Sequence, residues 1–336
     1  MFKVAVLVNK PLAYSIFREK DLAFMETFAQ FNPIEGLPDQ MTREFMADQL
    51  KDADAAITGW GTPSFTEEML RDNPKLRFIA HSAGTVKNLV PASFWTMVGK
   101  HITSNAPVIA EDVAQTTLML ILSALKEVWS FTDLTRGGGW KGGEKNVYTT
   151  RRLDELKVGI IGASLVGKEV IKILKPFKPK LRIWDPYLSP IEAEMLEVEQ
   201  MGLDELIASS DVITLHAPAN EDCRHILNAK NIPLIKDGAV LVNTARGMLI
   251  DEEALIKELQ TGRFSACLDV TDPEPPASDH PLRTLPNVII TPHVAGGHTV
   301  NGRKMLGRNS IKEVYNFLTK GLIAYEVRGE MLEHMA

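Results

Sequence analysis

Arg246, Glu274 and His293 carry the side chains from which chemistry can first be read in this chain. Arg246 sits in Asn243-Thr244-Ala245-Arg246-Gly247, Glu274 in Asp272-Pro273-Glu274-Pro275 and His293 in Thr291-Pro292-His293, each at or just after the end of a short apolar run. An imidazole can hold and release a proton near neutrality, and a carboxylate beside it orients the ring and favours its protonated form. A guanidinium grips a carboxylate through two parallel hydrogen bonds and can polarise a neighbouring carbonyl. Together the three could protonate an oxygen that gains negative charge while hydride reaches the carbon attached to it. Taken singly, each has a structural alternative: a satisfied strand-end histidine, an arginine that closes a helix or pairs with Asp251, a surface turn.

A hydride donor is suggested upstream. Val158-Gly159-Ile160-Ile161-Gly162-Ala163-Ser164-Leu165-Val166-Gly167 reads as a strand, a tight turn and a helix start. Gly162 would permit the turn, Gly167 would let helix and strand approach, and the helix N-terminus would offer N–H groups and a positive dipole end to a pyrophosphate. Ser164 stands where a dinucleotide fingerprint has its middle glycine, so its side chain must turn aside or give its hydroxyl to the phosphate. The next strand ends in Arg182-Ile183-Trp184-Asp185. A carboxylate there accepts ribose hydroxyls and repels a 2′-phosphate, which favours NAD over NADP, although Arg182 is a nearby cation that argues the other way.

These residues need strands to hold them. The second half of the chain predicts strands over 158–161, 181–184, 212–216, 239–244, 266–270 and 288–291, alternating with helical patterns. The first third predicts strands over 4–8, 53–58, 76–80 and 101–104, with helices over about 16–31 and 42–51. A long amphipathic helix is predicted over 111–131, a glycine-rich loop over 136–143 and a closing helix over about 301–318. Alternation of this kind specifies an α/β protein with doubly wound parallel sheets, whose ligands bind beyond the carboxyl ends of the strands.

Composition narrows the partners. The 336 residues suggest about two domains at roughly 150 residues each. With 45% hydrophobic and 24% charged residues the chain reads as globular, and a net charge of −6 repels a phosphate backbone, so nucleic acid is not an expected partner. Cys223 and Cys267, the two cysteines, lie near no second ligand at metal spacing, so no metal is expected and a reducing, cytoplasmic compartment is. The apolar stretch at 118–122 is interrupted by Ser123 and Lys126, short of the about 20 apolar residues that span a bilayer, so no membrane partner is expected either.

With the motifs in this order, the chain resembles the D-isomer-specific 2-hydroxyacid dehydrogenase family over nearly its full length. The matching pieces are Ser82-Ala83-Gly84, Gly139-Trp140, the turn at Gly162, Leu215-His216-Ala217-Pro218, Asn243 to Gly247, Asp269-Val270 with Glu274-Pro275, and Thr291-Pro292-His293. The resemblance implies a Rossmann NAD-binding domain at 106–298 inserted into a flavodoxin-like substrate domain at 1–105 plus 299–336. It implies cofactor contacts at Gly162, Ser164, Leu165, Val166, Gly167, Asp185, His216, Ala217, Pro218, Thr244, Ala245, Asp269 near the carboxamide, Ala295 and Gly296. The catalytic set would be His293 as general acid/base, Glu274 as its partner and Arg246 on the substrate carboxylate and carbonyl. Ser82, Ala83 and Gly84 would hold the other carboxylate oxygen, and Trp60 could wall the pocket.

The expected reaction interconverts a small 2-keto acid and a D-2-hydroxy acid, in a homodimer formed through the NAD domain. A formate dehydrogenase is disfavoured by Glu274 and a phosphite dehydrogenase by the lack of Lys in Ser82-Ala83-Gly84. An NAD(H)-binding corepressor or redox sensor on the same fold is the alternative from a different class. No feedback through a C-terminal regulatory domain is expected.

Overall fold

The structure is a computed structural model that describes residues 1–140 and 149–334. The chain divides into two compact units, Met1–Ile109 with Gly297–Ala336, and Ala110–Gly296. Part of the expected glycine-rich loop, Lys141, Gly142 and Gly143, lies outside the described residues.

The first unit runs β1 (Phe2–Leu7), α1 (Lys10–Ile16), α2 (Glu19–Glu26), β2 (Ala29–Phe31), α3 (Arg43–Leu50), β3 (Ala55–Thr58), α4 (Glu67–Asp72), β4 (Phe78–His81) and β5 (His101–Ser104). The strands pair in parallel in the order β2-β1-β3-β4-β5, a doubly wound arrangement. Both sheet faces are covered, so β1 is apolar at successive positions: Val4 and Val6 enter one core with Ile16 and Met25, Ala5 and Leu7 the other with Met46 and Leu50. Asn9, Thr42 and Thr66 begin α1, α3 and α4 by accepting the N–H three residues ahead.

The helix expected over 16–31 is instead the end of α1, all of α2 and the edge strand β2. Phe17 is extended and ends α1, and the bidentate contact of Arg18 with Asp21 at 2.6 and 2.9 Å sets the start of α2. Beyond β2 the Asn32 side chain bonds both the N–H and the carbonyl of Val6, prolonging the edge pairing with side-chain atoms.

The chain enters the second unit within α5 (Ala106–Leu125), which starts five residues earlier than expected. Glu127 in the left-handed region breaks the expected long helix, which resumes as α6 (Val128–Arg136). By length and composition α5, at mean hydropathy 1.5, could cross a membrane, since Ser123 sits within it and Lys126 just beyond it. Its Ala114, Leu120, Ile121 and Leu125 nevertheless pack into the core of the second unit.

That unit continues through β6 (Lys157–Ile161), α7 (Leu165–Leu174), β7 (Lys180–Trp184), α8 (Pro190–Leu196), β8 (Glu199–Gln200), α9 (Leu203–Ser209), β9 (Val212–Leu215), β10 (Val240–Asn243), α10 (Glu252–Leu259), β11 (Ser265–Leu268) and β12 (Val288–Ile290). The sheet is parallel in the order β12-β11-β10-β9-β6-β7-β8. The order reverses between β6 and β9, where a doubly wound sheet opens its binding crevice. The unexpected strand β8 is two exposed polar residues with no apolar alternation to announce it. Finally α11 (Val300–Lys320) returns to the first unit, packing on α1 and β4 through Ile311 and Val314.

Candidate active site

Three neighbouring strands of the second unit deliver the charged residues. Arg246 follows β10, Glu274 lies in the loop after β11 and His293 follows β12, all at carboxyl ends. His293 Nδ1 lies 2.7 Å from Glu274 Oε2, and Glu274 Oε1 accepts the Thr271 N–H at 3.1 Å. With Nδ1 engaged, Nε2 is the ring nitrogen left to meet a substrate. The pair is half-exposed, with 49% of the imidazole and 37% of the carboxylate side chain reached by solvent. A cavity of about 530 Å³ lies on it, lined also by Arg283, Ile290 and Pro292.

Arg246 has no carboxylate within ion-pair distance among the described residues, and Asp251, its suggested structural partner, caps α10 instead. Burial pushes its guanidinium below the ordinary value while the charge of Glu274 pushes it back up. One guanidinium nitrogen donates to the Ala245 carbonyl at 2.6 Å, and the other donors of the fork stay available for an anion. The turn beneath is tied by Asn243, whose amide donates to the Arg246 carbonyl at 2.9 Å and accepts from the Ala245 N–H at 3.0 Å.

The Gly162 turn sits at the switch point. At φ +101° only glycine is comfortable, and a Cβ there would lie 2.6 Å from the Ala217 nitrogen; one on Gly167 would lie 2.2 Å from the Gly162 carbonyl oxygen. Ser164 turns aside: its hydroxyl oxygen accepts the Gly167 N–H at 3.3 Å and caps α7, leaving the hydroxyl proton to give. Asp185 accepts the Ala163 N–H at 2.6 Å and the Tyr187 N–H at 2.8 Å, one on each oxygen, so each keeps a lone pair for a ribose hydroxyl. Arg182 is committed elsewhere, to Glu199 at 3.1 Å and Ser209 at 2.7 Å. These features fit a dinucleotide with an unphosphorylated ribose: a cradle that a Cβ would fill, a helix start with Leu165 exposed and Val166 half-buried, and a carboxylate at the strand end.

The remaining expected contacts surround this turn. His216 is buried and faces inward, Nε2 2.9 Å from Thr214 Oγ1, so residues 216–218 offer backbone rather than an imidazole. Its Nδ1 is buried without a partner among the described residues, and burial pushes the ring down to about 3. Thr244 bonds Thr117 Oγ1 at 2.8 Å, and the Ala295 carbonyl accepts from Thr116 at 3.0 Å, which ties α5 to two loops of the site. Gly296 is half-buried and closes the unit.

In the first unit, Ser82 is fully buried with its hydroxyl 2.7 Å from Ser310, while the N–H groups of Ala83 and Gly84 meet no acceptor among the described residues. Trp60 is 39% exposed, with the Arg303 guanidinium 5.9 Å from its ring centre. A larger cavity of about 960 Å³ opens at the opposite strand ends of the second unit, beside Trp129, Gly238 and Arg263, away from the titratable set. Strand carboxyl ends, not cavity size, mark the site.

Residues 118–295 match the D-isomer specific 2-hydroxyacid dehydrogenase, NAD binding domain. The chain belongs to that family. It is 32% identical over 336 residues to a D-3-phosphoglycerate dehydrogenase of Methanocaldococcus jannaschii, covering 99% of this chain and 59% of that protein. A hydroxypyruvate reductase of Thermotoga maritima is 35% identical over 212 residues, 62% of this chain and 67% of that one. A crystal structure of the TT0316 protein from Thermus thermophilus superposes with a TM-score of 0.75 at 26% identity, covering 97% of this chain and all of that one. The chain therefore spans less than two thirds of the length of the M. jannaschii relative. The two-sheet α/β architecture and the NAD-binding second unit are those of the family.

Sequence reasoning quoted Thr291 only as a neighbour of His293 and passed over Thr116, Thr117 and Arg283. The last donates to the Pro276 and Ala277 carbonyls at 2.8 Å and braces the loop that bears Glu274. Thr116, Thr117 and Arg283 lie in no quoted motif, and each acts on backbone or on another side chain's oxygen, so no local pattern could announce them.

Proposed function

We propose that this protein is an NAD-dependent oxidoreductase that interconverts a small 2-keto acid and the corresponding D-2-hydroxy acid. The observation that carries the reading is the His293–Glu274 pair at 2.7 Å, beside a half-buried Arg246 without a carboxylate partner among the described residues, on an NAD-binding domain. The turn at Gly162, with Ser164 and Asp185, would hold a nicotinamide dinucleotide, which would supply the hydride for C2 of the keto acid. His293 Nε2 gives the proton that the former carbonyl oxygen takes up, so one keto acid, one hydride and one proton make one hydroxy acid. Glu274 holds Nδ1 and offsets the positive charge of the imidazolium before the proton is given. Arg246 binds the substrate carboxylate in a fork and stabilises the oxygen as charge develops.

Relatives named for phosphoglycerate and hydroxypyruvate favour short, polar keto acids as substrates. The test is the decay of NADH and NADPH absorbance with glyoxylate, hydroxypyruvate, pyruvate, 2-ketoisocaproate and phenylpyruvate, followed by chiral analysis of the product. NADH-linked formation of a D-hydroxy acid is expected. NADH binding without turnover of any acid, or an L product, contradicts the reading.

The proposal includes a homodimer through the second unit. None of the nine residues of α6 is buried, and Met119 and Val128 are 47% and 45% exposed, an apolar surface that a second copy would cover. Light scattering should give twice the 37.2 kDa chain mass, falling to the monomer in Val128→Asp; a monomer in the parent protein overturns this. Two free cysteines support a reducing, cytoplasmic setting.

A further inference from the structure

The segment that carries His293 is held from below by one carboxylate. Asp269, 1% exposed at the carboxyl end of β11, accepts the Thr291 hydroxyl at 2.5 Å and the Val294 N–H at 3.0 Å on Oδ1, and the Ala295 N–H at 2.8 Å on Oδ2. Its own carbonyl accepts the His293 N–H at 2.8 Å, and the Leu268 carbonyl accepts the Thr291 N–H at 2.9 Å. Every bond reaches residues on one side or the other of His293, or His293 itself. His293 stands at φ +54°, in the left-handed region that non-glycine residues adopt uncommonly.

We infer that Asp269, with Thr291, is a positioning residue for the proton donor, holding the 291–295 segment so that His293 stays left-handed with Nδ1 on Glu274. A carboxylate has about four acceptor directions, and three are taken by this segment. About one is left for a carboxamide N–H, so contact with cofactor is compatible with the clamp but is not the main use of the group. An amide at position 269 would present N–H to donors, on Oδ1 to Thr291 and Val294 or on Oδ2 to Ala295, and the segment would be pushed off. The side chain of His293 would then leave Glu274 although both remain in the chain. The inference rests on His293 being the proton donor proposed above.

Thr291 gives the cleaner probe because it belongs to the clamp and to no cofactor contact. The experiment compares Thr291→Val, Thr291→Ser, Asp269→Asn and His293→Ala with the parent enzyme. It reads kcat against pH with NADH and an accepted keto acid, the NADH dissociation constant by fluorescence, and the His293 imidazole in ¹H–¹⁵N spectra without substrate. Thr291→Val should lower kcat by about 10- to 10²-fold, the scale of a misplacement near 1 Å. It should also move the high-pH limit of reduction to lower pH and lose the bonded Nδ1 proton signal, with NADH affinity unchanged within about twofold. Thr291→Ser keeps the hydroxyl and should restore all three readouts. Asp269→Asn should follow Thr291→Val more severely, and if it fails to fold, the threonine pair alone decides.

Parent-like kcat, pH limit and imidazole spectrum in Thr291→Val overturn the inference, as does an Asp269→Asn effect confined to NADH affinity. Should His293→Ala itself keep full activity, the proton-donor reading falls instead; an inactive His293→Ala beside an undiminished Thr291→Val overturns only the clamp.

Discussion

Glu274 and Arg246 stand near each other without pairing, and in the proposed mechanism that separation lets each take its own role. The carboxylate spends one oxygen on the Thr271 N–H and the other on the imidazole, while the guanidinium feels its charge but forms no ion pair with it. Replacing Glu274 by Gln keeps the shape and removes the charge that stabilises imidazolium. The high-pH limit of keto-acid reduction in a kcat/KM profile should therefore shift to lower pH, with the rate at low pH recovering towards the parent value. A profile superimposable on the parent's would mean that Glu274 is not the partner of the proton donor.

At the scale of elements, the crevice depends on how closely two strand ends approach. Gly162 packs on the backbone of residues 216–217 and Gly167 on the Gly162 carbonyl, which is why α7 starts so near β6. Gly162→Ala would place a methyl 2.6 Å from the Ala217 nitrogen at a φ that alanine resists. It should weaken NADH binding, read by fluorescence titration, at least 10-fold and lower the melting temperature; unchanged binding would contradict the placement of the cofactor at this turn.

All the strands among the described residues except β2 and β8, the turn and the three charged residues were legible in the sequence because apolar runs, glycine spacing and titratable residues are local signals. The break of α5 at Glu127 and the division of 16–31 were not. Both depend on backbone choices, a left-handed residue and an Arg18–Asp21 contact, that leave the hydrophobic period nearly unchanged. The clamp by Asp269 joins residues from two strand ends, 269 and 291–295, and only tertiary pairing of β11 with β12 brings them together.

Across the whole molecule, each unit buries a histidine without a charge partner. Burial pushes His81 down to about 4 and His216 to about 3 from the ordinary 6.5. The folded chain keeps both rings neutral where the unfolded chain takes up protons, so below pH 6.5 the unfolded state binds more protons and stability falls as pH falls. Each ring contributes up to about 1.4 kcal/mol per pH unit, fading as pH approaches its folded value and absent above neutrality. Urea unfolding between pH 7 and about 4.5 should show the midpoint dropping, and more gently in His81→Gln or His216→Gln. An acid dependence identical in parent and variants would contradict this account.

The proposed role of His293 as proton donor is settled by one comparison: keto-acid reduction, followed by NADH absorbance, in the parent protein and in His293→Ala at equal cofactor saturation. A loss of about 10²- to 10⁴-fold in kcat is expected, with NADH affinity intact. A His293→Ala enzyme that reduces the acid at the parent rate would contradict it.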